Sequence, residues 1–171
     1  SKKNLSRCVC TLRPKSEGGL FVGKEEERKS ILRLIAEYNP FLLDVEFNTI
    51  QKDKKLASYL KKSKCKLLIS WHDFKKTPNE SQLKSRFKKM EKFSNVVKIV
   101  TVAKNVSDAS RLLSLYSIKT KNKMVAFCMG DQGKFSRILC LHLGSPFTYV
   151  SLGKAIAPGQ FSVDEIKSLE N

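Results

Sequence analysis

Residues 66–71 (KLLISW) and residues 96–102 (VVKIVTV) are two apolar runs separated by a segment of helical period at residues 79–94. Apolar side chains recur in that segment at spacings of three and four residues, at Leu83, Phe87 and Met90. Such spacing places them on one face of a helix. The flanking runs are almost continuously apolar, which is typical of strands covered on both faces. The stretch therefore predicts a strand–helix–strand unit with parallel strands.

The same alternation continues along the chain. Further apolar, β-favouring runs occur at residues 8–13, 41–47, 123–128 and 147–152. Segments of helical character lie at residues 24–38, 51–62, 107–117, 134–143 and 162–169. Strand followed by helix, repeated without consecutive strands, predicts an α/β fold of right-handed βαβ units.

A doubly wound sheet and a (β/α)8 barrel both satisfy this pattern. At the observed strand spacing, eight units would need roughly 220 residues or more, near the lower part of the usual barrel range. The chain has 171 residues, enough for about six units. It contains no GxGxxG motif after the first strand and no GxxxxGK[ST] motif, so phosphate-binding versions of the doubly wound sheet lose their main support.

Composition narrows the class of protein. With 41% hydrophobic residues, the chain can bury a core, and its length fits a single domain over residues 1–171. No apolar stretch approaches the roughly 18 residues that a membrane helix needs. We therefore expect a soluble, cytoplasmic protein that does not bind membranes.

Cysteine and histidine usage argues against a metal site. The five cysteines include no CxxC pair, and there are only two histidines. We expect reduced, mostly buried thiols and no zinc site. His142 falls among leucines on a predicted helix, where a structural role fits better than a catalytic one.

Two ionisable residues on strands are candidates for chemistry. Lys98 lies in the middle of an apolar run, where burial would favour a neutral, nucleophilic amine. Alternatively, Lys98 lies at a sheet edge and extends to water. His72 follows a strand and precedes Asp73, a position suited to acid–base catalysis. The strand pattern alone leaves both roles open.

Seven segments, in this order, resemble type I 3-dehydroquinate dehydratases. They are Arg13-Pro-Lys-Ser-Glu17-Gly18-Gly19, Asp44-Val-Glu46, Ser70-Trp-His72-Asp73-Phe74, Lys98, Met129-Gly130-Asp-Gln-Gly133-Lys-Phe-Ser136-Arg137, Gly144-Ser145 and Ala157-Pro158-Gly159-Gln160. Each motif is weak alone, but their order along nearly the whole chain is specific. The resemblance implies a TIM-type (β/α)8 barrel.

The resemblance also implies a reaction. The family converts 3-dehydroquinate to 3-dehydroshikimate and water, in the shikimate pathway, by syn elimination through a lysine Schiff base. Lys98 would form the imine, whose electron-withdrawing character acidifies the neighbouring C–H. His72 would remove that proton and protonate the departing hydroxyl, and Glu17 would orient His72. This chemistry requires no metal and no organic cofactor.

Five further residues would bind the substrate. Arg13 and Arg137 would hold its carboxylate and hydroxyls, because a guanidinium offers bidentate geometry. Gln160 would close over the substrate, Met129 would line the ring pocket, and Glu46 would support the polar floor near Lys98.

The chain departs from the family pattern in two places. In the family, two βα units precede the strand matching residues 8–13, so we expect this chain to lack them and to form a partial barrel of about six units. Ile156 stands where the family often has a serine, which would remove one hydroxyl contact. These departures keep a catalytically inactive fragment open as an alternative.

A basic nucleic-acid-binding protein is the second alternative. The formal net charge is +17, from 33 Lys and Arg against 16 Asp and Glu. Lysines crowd residues 51–66 and 84–92, but aromatic residues are not interleaved with them as a stacking platform. We therefore expect solvated helix faces and attraction of an anionic substrate rather than nucleic-acid binding. The family is often dimeric, which makes a homodimer an expectation as well.

Overall fold

The computed structural model describes the backbone of residues 2–169 and the side chains of residues 4–168. Ser1 and residues 170–171, which belong to the predicted domain, lie outside this range. The strands are β1 (Val9–Thr11), β2 (Leu42–Glu46), β3 (Leu67–Asp73), β4 (Val96–Val102) and β5 (Lys123–Met129). The helices are α1 (Lys2–Leu5), α2 (Glu25–Glu37), α3 (Phe47–Lys52), α4 (Lys54–Lys62), α5 (Glu80–Met90), α6 (Val106–Leu113), α7 (Ser136–His142) and α8 (Val163–Leu169). Short 3-10 helices cover Lys15–Glu17, Ser114–Ser117 and Asp131–Gly133.

The five strands form one sheet in the order β1-β2-β3-β4-β5. β1 pairs with β2 in parallel, with Cys10 opposite Leu43, and β2 pairs with β3 in parallel, with Leu43 opposite Leu67. Spatial order follows chain order, so no strand order reverses as it does in a doubly wound sheet. Consecutive parallel strands are the arrangement of a barrel wall.

The first compact unit comprises the chain up to Trp71 together with Lys88–Val97. Its strand β2 is buried at every position, as the continuous apolar run predicted. Helix α2 buries one stripe at spacings of four residues, formed by Arg28, Leu32 and Ala36. Arg28 is therefore a cation at a position where helical periodicity places a core residue.

The second unit comprises His72–Phe87 and the chain from Lys98 onward. Its core is a cluster of buried side chains from β4, β5 and the helices that follow them: Val100, Leu113, Val125, Phe127, Met129 and Cys140. Tyr149 and Phe147 pack against this cluster. The expectation of one domain over residues 1–171 stays a prediction.

Three predicted elements differ from the structure. Residues 147–152 are not a strand, because Ser151 pairs through its backbone with Phe161 and Val163 and forms only an isolated bridge to Ser162. The helix predicted over 51–62 is split at Asp53, whose carboxylate caps α4 by accepting the Leu56 N–H at 2.8 Å. The helix predicted over 107–117 tightens into a 3-10 helix after Leu113.

The cysteine side chains differ in their exposure. All five are free thiols, and Cys65, Cys128 and Cys140 are buried. In the part of the chain that the structure describes, no helix is long and apolar enough to cross a membrane.

Candidate active site

Arg13 lies two residues after the end of β1 and is held by two carboxylates. Its Nη2 donates to Asp44 Oδ2 at 2.7 Å, and its Nη1 donates to Glu46 Oε1 at 3.2 Å and to the Ser70 hydroxyl at 3.1 Å. The Arg13 side chain is 13% exposed, while both carboxylates are fully buried. The charge and orientation of Arg13 are thus fixed by residues of β2 and β3.

Glu46 ends β2 and bridges two arginines. Its Oε2 accepts from Arg28 Nη1 at 2.7 Å, while its Oε1 accepts from Arg13. Burial raises the pKa of the Glu46 carboxyl, and the charges of Arg28 and Arg13 oppose that rise. The two arginines therefore favour the ionised form of Glu46, whereas burial disfavours it.

Glu17 ends the 3-10 helix that follows Arg13, and it is buried. Its Oε1 accepts a hydrogen bond from the Asn48 side-chain amide at 3.0 Å. Burial raises the pKa of Glu17, and the hydrogen bond from Asn48 partly opposes this. A carboxylate with a raised pKa suits a group that takes part in proton movements.

Lys98 lies at the third position of β4 and is 7% exposed. In the sheet order, β4 lies between β3 and β5, so Lys98 is not on an edge strand. Its Nζ lies 4.2 Å from the centroid of the Tyr149 ring. The structure thus contradicts the alternative in which Lys98 extends to water from a sheet edge, and it gives the ammonium an aromatic neighbour.

Arg137 lies in α7 and is 2% exposed. Its Nη2 donates to the Pro158 carbonyl at 3.3 Å, its guanidinium carbon lies 4.4 Å from the Phe127 ring centroid, and its Nε has no hydrogen-bond partner among the described residues. No carboxylate of residues 4–168 pairs with it. Burial lowers the pKa of Arg137 to about 10. A buried guanidinium without a counter-ion is suited to an incoming anion.

The segment before Gln160 packs against the end of β5. Pro158 O accepts from Gly130 N at 3.3 Å, and the Gln160 side-chain oxygen accepts from Ile156 N at 3.0 Å. Gln160 is buried, whereas the Ile156 side chain is 90% exposed. Gln160 is thus held in place by its own loop, and Ile156 contributes a backbone contact.

His72 and Met129 occupy strand ends in the second unit. His72 is half-buried near the end of β3, and its ring stacks on Phe74 with centroids 5.8 Å apart. Met129 ends β5 within the buried core cluster. His142, at the end of α7, is exposed.

The predicted site residues fall into two groups. Arg13, Glu17 and Glu46 belong to the first unit, where Glu46 contacts Arg13 directly. The second unit holds the other five: His72, Lys98, Met129, Arg137 and Gln160.

Three supporting residues were missed by sequence reasoning. Arg28 had a signal in the sequence, since it precedes Leu32 by four residues on the apolar stripe of α2. Asn48 and Tyr149 had none, because only tertiary contacts place them against Glu17 and Lys98.

Comparison with known proteins gives the same family that the motifs resemble. The family model described as type I 3-dehydroquinase matches residues 2–170. A 3-dehydroquinate dehydratase from Pyrobaculum aerophilum is 42% identical over 158 residues, which are 91% of this chain and 50% of that protein. One from Dehalococcoides mccartyi is 38% identical over 161 residues, which are 92% of this chain and 72% of that protein.

Solved structures share the fold. The type I 3-dehydroquinate dehydratase from Clostridium difficile, solved with covalently modified comenic acid, has a TM-score of 0.82 at 26% identity and covers 93% of this chain and 65% of its own. The 3-dehydroquinate dehydratase from Aquifex aeolicus has a TM-score of 0.77 at 29% identity, and the match covers 93% of this chain and 70% of that one. The α/β fold is of the TIM-barrel type predicted from the sequence.

The chain spans about half the length of the Pyrobaculum aerophilum protein and nearly three quarters of the Dehalococcoides mccartyi one. The family model nevertheless matches almost every residue of the chain. The order of motifs, the parallel sheet and the relatives agree, and the chain belongs to the type I 3-dehydroquinase family.

Proposed function

We propose that the protein containing this chain dehydrates 3-dehydroquinate to 3-dehydroshikimate, with Lys98 as the Schiff-base lysine. The observation that carries the proposal is the burial of the Lys98 ammonium in a central strand. Lysine is rarely buried to this extent, and a desolvated amine is a candidate nucleophile. The relatives that carry the name 3-dehydroquinate dehydratase support the choice of substrate.

The proposed reaction proceeds through an imine. The neutral Lys98 amine adds to the substrate ketone, and uptake of one proton with loss of one water gives a protonated imine, whose later hydrolysis returns that proton. His72 removes a proton from the adjacent carbon, and the electrons of that C–H bond form the new double bond as the hydroxyl leaves. The hydroxyl takes a proton from His72 and departs as water. Addition of one water then hydrolyses the imine, so the balance is one water released.

The surrounding residues would bind and orient the substrate. Arg137 brings a buried positive charge that is not neutralised by any carboxylate of residues 4–168, and it would pair with the substrate carboxylate. Arg13, whose carboxylate partners already fix it, would donate to hydroxyl groups. Tyr149 would stabilise the positive charge of the protonated imine at the Lys98 nitrogen.

The test is borohydride trapping. Reduction of the imine leaves a stable adduct on lysine, so we expect the folded wild-type chain, incubated with 3-dehydroquinate and borohydride, to give one adduct that maps to Lys98. Lys98→Arg should give none. Lys104→Ala removes an exposed lysine close to β4 and serves as the matched control, with an adduct at the wild-type level. An adduct on other lysines only, or full activity of Lys98→Arg, would contradict the assignment.

The role of His72 is tested separately. We expect His72→Ala to retain a trappable imine while product formation falls by roughly a hundredfold to ten-thousandfold, the usual contribution of a general acid–base group. Glu17→Ala should lower the rate less, because it orients the imidazole rather than transferring the proton. Equal losses would indicate that the two residues act as one unit.

We also propose a homodimer in the cytoplasm. Both are expectations for an enzyme of this family. Light scattering of the purified protein would measure its mass in solution, and a monomer at micromolar concentration would contradict the dimer.

A further inference from the structure

Arg28 is a cation of the first unit whose side chain is bonded on every side. It is fully buried in α2, and every one of its five N–H groups has an acceptor. Nε donates to Glu25 Oε2 at 2.8 Å, Nη1 to Leu12 O at 3.0 Å and to Glu46 Oε2 at 2.7 Å, and Nη2 to Glu25 Oε1 at 2.7 Å and to the Thr49 hydroxyl at 2.6 Å. A lysine could not reproduce this planar fork.

This network ends on a residue of the candidate site. Glu46 accepts from Arg28 through one oxygen and from Arg13 through the other. Arg28 thus determines where the Glu46 carboxylate lies, and that carboxylate, with Asp44, determines the plane of the Arg13 guanidinium. Arg13 is partly exposed, while Arg28 is not.

The charge of Glu46 depends on the same contacts. The charged groups that face it are Arg28 from α2, Arg13 after β1, and Asp44 on its own strand. Ser70 on β3 and Thr49 on α3 contribute uncharged hydroxyls to the same network. Without Arg28, burial and Asp44 would both favour a neutral Glu46, opposed by the charge of Arg13 and by a hydrogen bond from the backbone of Glu46.

We propose that Arg28 is a positioning residue for substrate binding, which acts by fixing Glu46 and, through it, the orientation of Arg13. The inference rests on the proposed function, in which Arg13 binds the substrate. It predicts that changes at Arg28 alter substrate affinity without altering the chemistry at Lys98.

The first experiment measures the 3-dehydroquinate concentration that gives half-maximal borohydride trapping, at pH 6 and pH 8. We expect Arg28→Gln to raise this half-saturating concentration by about tenfold. The expected effect is smaller than the roughly hundredfold loss of rate that a misplacement of about 1 Å can cause. The rise should be larger at pH 6 than at pH 8, because loss of the Arg28 charge raises the pKa of Glu46 further and a lower pH favours its protonated form. Arg28→Lys keeps the charge and should show a smaller rise with little pH dependence. Lys29→Gln, on the same helix and paired with Glu26 and Asp53, is the control and should match wild type.

The second experiment needs no substrate. Carbon-13 NMR of the Glu46 carboxyl and nitrogen-15 NMR of the Arg13 guanidinium report the Glu46 titration and the Arg13 rotation in the 171-residue chain. Arg28→Gln should raise the Glu46 titration midpoint and speed Arg13 rotation. Glu25→Gln changes a side chain that is 47% exposed and should speed Arg13 rotation to a smaller extent. This variant tests the proposal if Arg28→Gln does not fold.

The outcomes separate the two proposals. If the folded protein that contains this chain gives no adduct, the proposed function is overturned, and the NMR measurement then decides whether Arg28 controls Glu46 and Arg13. Unchanged Arg13 and Glu46 signals in the variants overturn the positioning role. So does an unchanged half-saturating concentration in Arg28→Gln when wild type forms the adduct.

Discussion

Arg13 is largely buried and Arg137 is buried, but their electrostatic surroundings are opposite. Arg13 is paired with two buried carboxylates, so its charge is neutralised within the protein. Arg137 has a carbonyl and an aromatic ring as partners, and burial lowers its pKa. Removing a partner from a buried ion pair leaves an unpaired charge, whereas removing an unpaired buried charge relieves a desolvation penalty.

Replacement of the two arginines should therefore have different effects on stability. We expect Arg13→Met to lower the free energy of unfolding by about 3–5 kcal/mol, because Asp44 and Glu46 lose a buried partner. Arg137→Met should change it by less than about 1 kcal/mol, since the desolvation penalty disappears and methionine still packs on Phe127. Urea unfolding followed by circular dichroism measures both. Equal destabilisation would show that Arg137 has an internal counter-charge.

Tyr149 offers a test of the aromatic contact to Lys98. Tyr149→Phe keeps the ring and should preserve the yield of the borohydride adduct at limiting reaction time. Tyr149→Leu removes the ring and should lower the yield by roughly twofold to thirtyfold, corresponding to a cation–π contribution of about 0.5–2 kcal/mol. Mass spectrometry of the intact chain quantifies the adduct. A Phe variant as impaired as the Leu variant would assign the effect to the hydroxyl.

The carboxyl of Glu17, a candidate site residue, makes the free energy of unfolding depend on pH. Burial raises its pKa above the ordinary value of 4.5, so the folded state binds the proton more tightly than the unfolded state. Ionised Glu17 therefore lowers stability at neutral pH, and the loss diminishes as the pH falls through its folded pKa. We expect Glu17→Gln to be at least as stable as wild type at pH 7.5, with the difference shrinking at pH 5. Urea unfolding at the two pH values measures this, and a variant less stable than wild type at pH 7.5 would contradict it.

Among the elements, the segment at residues 155–160 requires a left-handed backbone conformation at Gly159. Gly159 has φ of +68°, and a Cβ there would lie 2.6 Å from Gly130 O. The neighbouring Pro158 carbonyl accepts from both Gly130 N and Arg137 Nη2. A side chain at Gly159 would thus disturb the segment that carries Gln160.

Gly159→Ala should loosen this segment. We expect a loss of at least about 1–2 kcal/mol in local stability, the usual penalty for an L-residue in the left-handed region, with the clash added to it. Hydrogen exchange at the Ile156 amide, which is bonded to the Gln160 side chain, measures the change. Gly153→Ala is the matched control, because a Cβ there meets nothing within 4 Å. Equal exchange rates in both variants would contradict the prediction.

The whole molecule carries a formal net charge of +17, and the proposed reaction accounts for little of this charge. The positive charge attracts anions over a distance set by ionic screening, about 10 Å at 0.1 M salt. It therefore favours an anionic substrate, and it also gives weak, sequence-independent attraction to nucleic acids.

Nucleic-acid binding should accordingly be non-specific. We expect any affinity for a single-stranded RNA to fall by a factor on the order of a thousand or more between 50 and 200 mM salt, the behaviour of purely phosphate-directed binding. Fluorescence anisotropy with two unrelated RNA sequences measures it. Salt-resistant binding that distinguishes the two sequences would support the alternative of a nucleic-acid-binding protein.

The amino-acid sequence by itself determined the class of fold and the candidate residues. Continuous apolar runs and helical periods depend on local spacing, so the parallel strands and the helices could be predicted, and Lys98 was conspicuous as a charge in an apolar strand. Residues 147–152 were wrongly predicted as a strand, because whether an apolar run pairs depends on its neighbours in space.

Only the tertiary structure decided the electrostatics of the site. Arg13 and Arg137 are the same residue type, yet one is paired with buried carboxylates and the other is not. The contacts of Glu46 with Arg28 and of Lys98 with Tyr149 join residues 18 and 51 positions apart in the chain. Burial and partner charges set the protonation and orientation of such groups, and these depend on long-range packing that local sequence patterns do not encode.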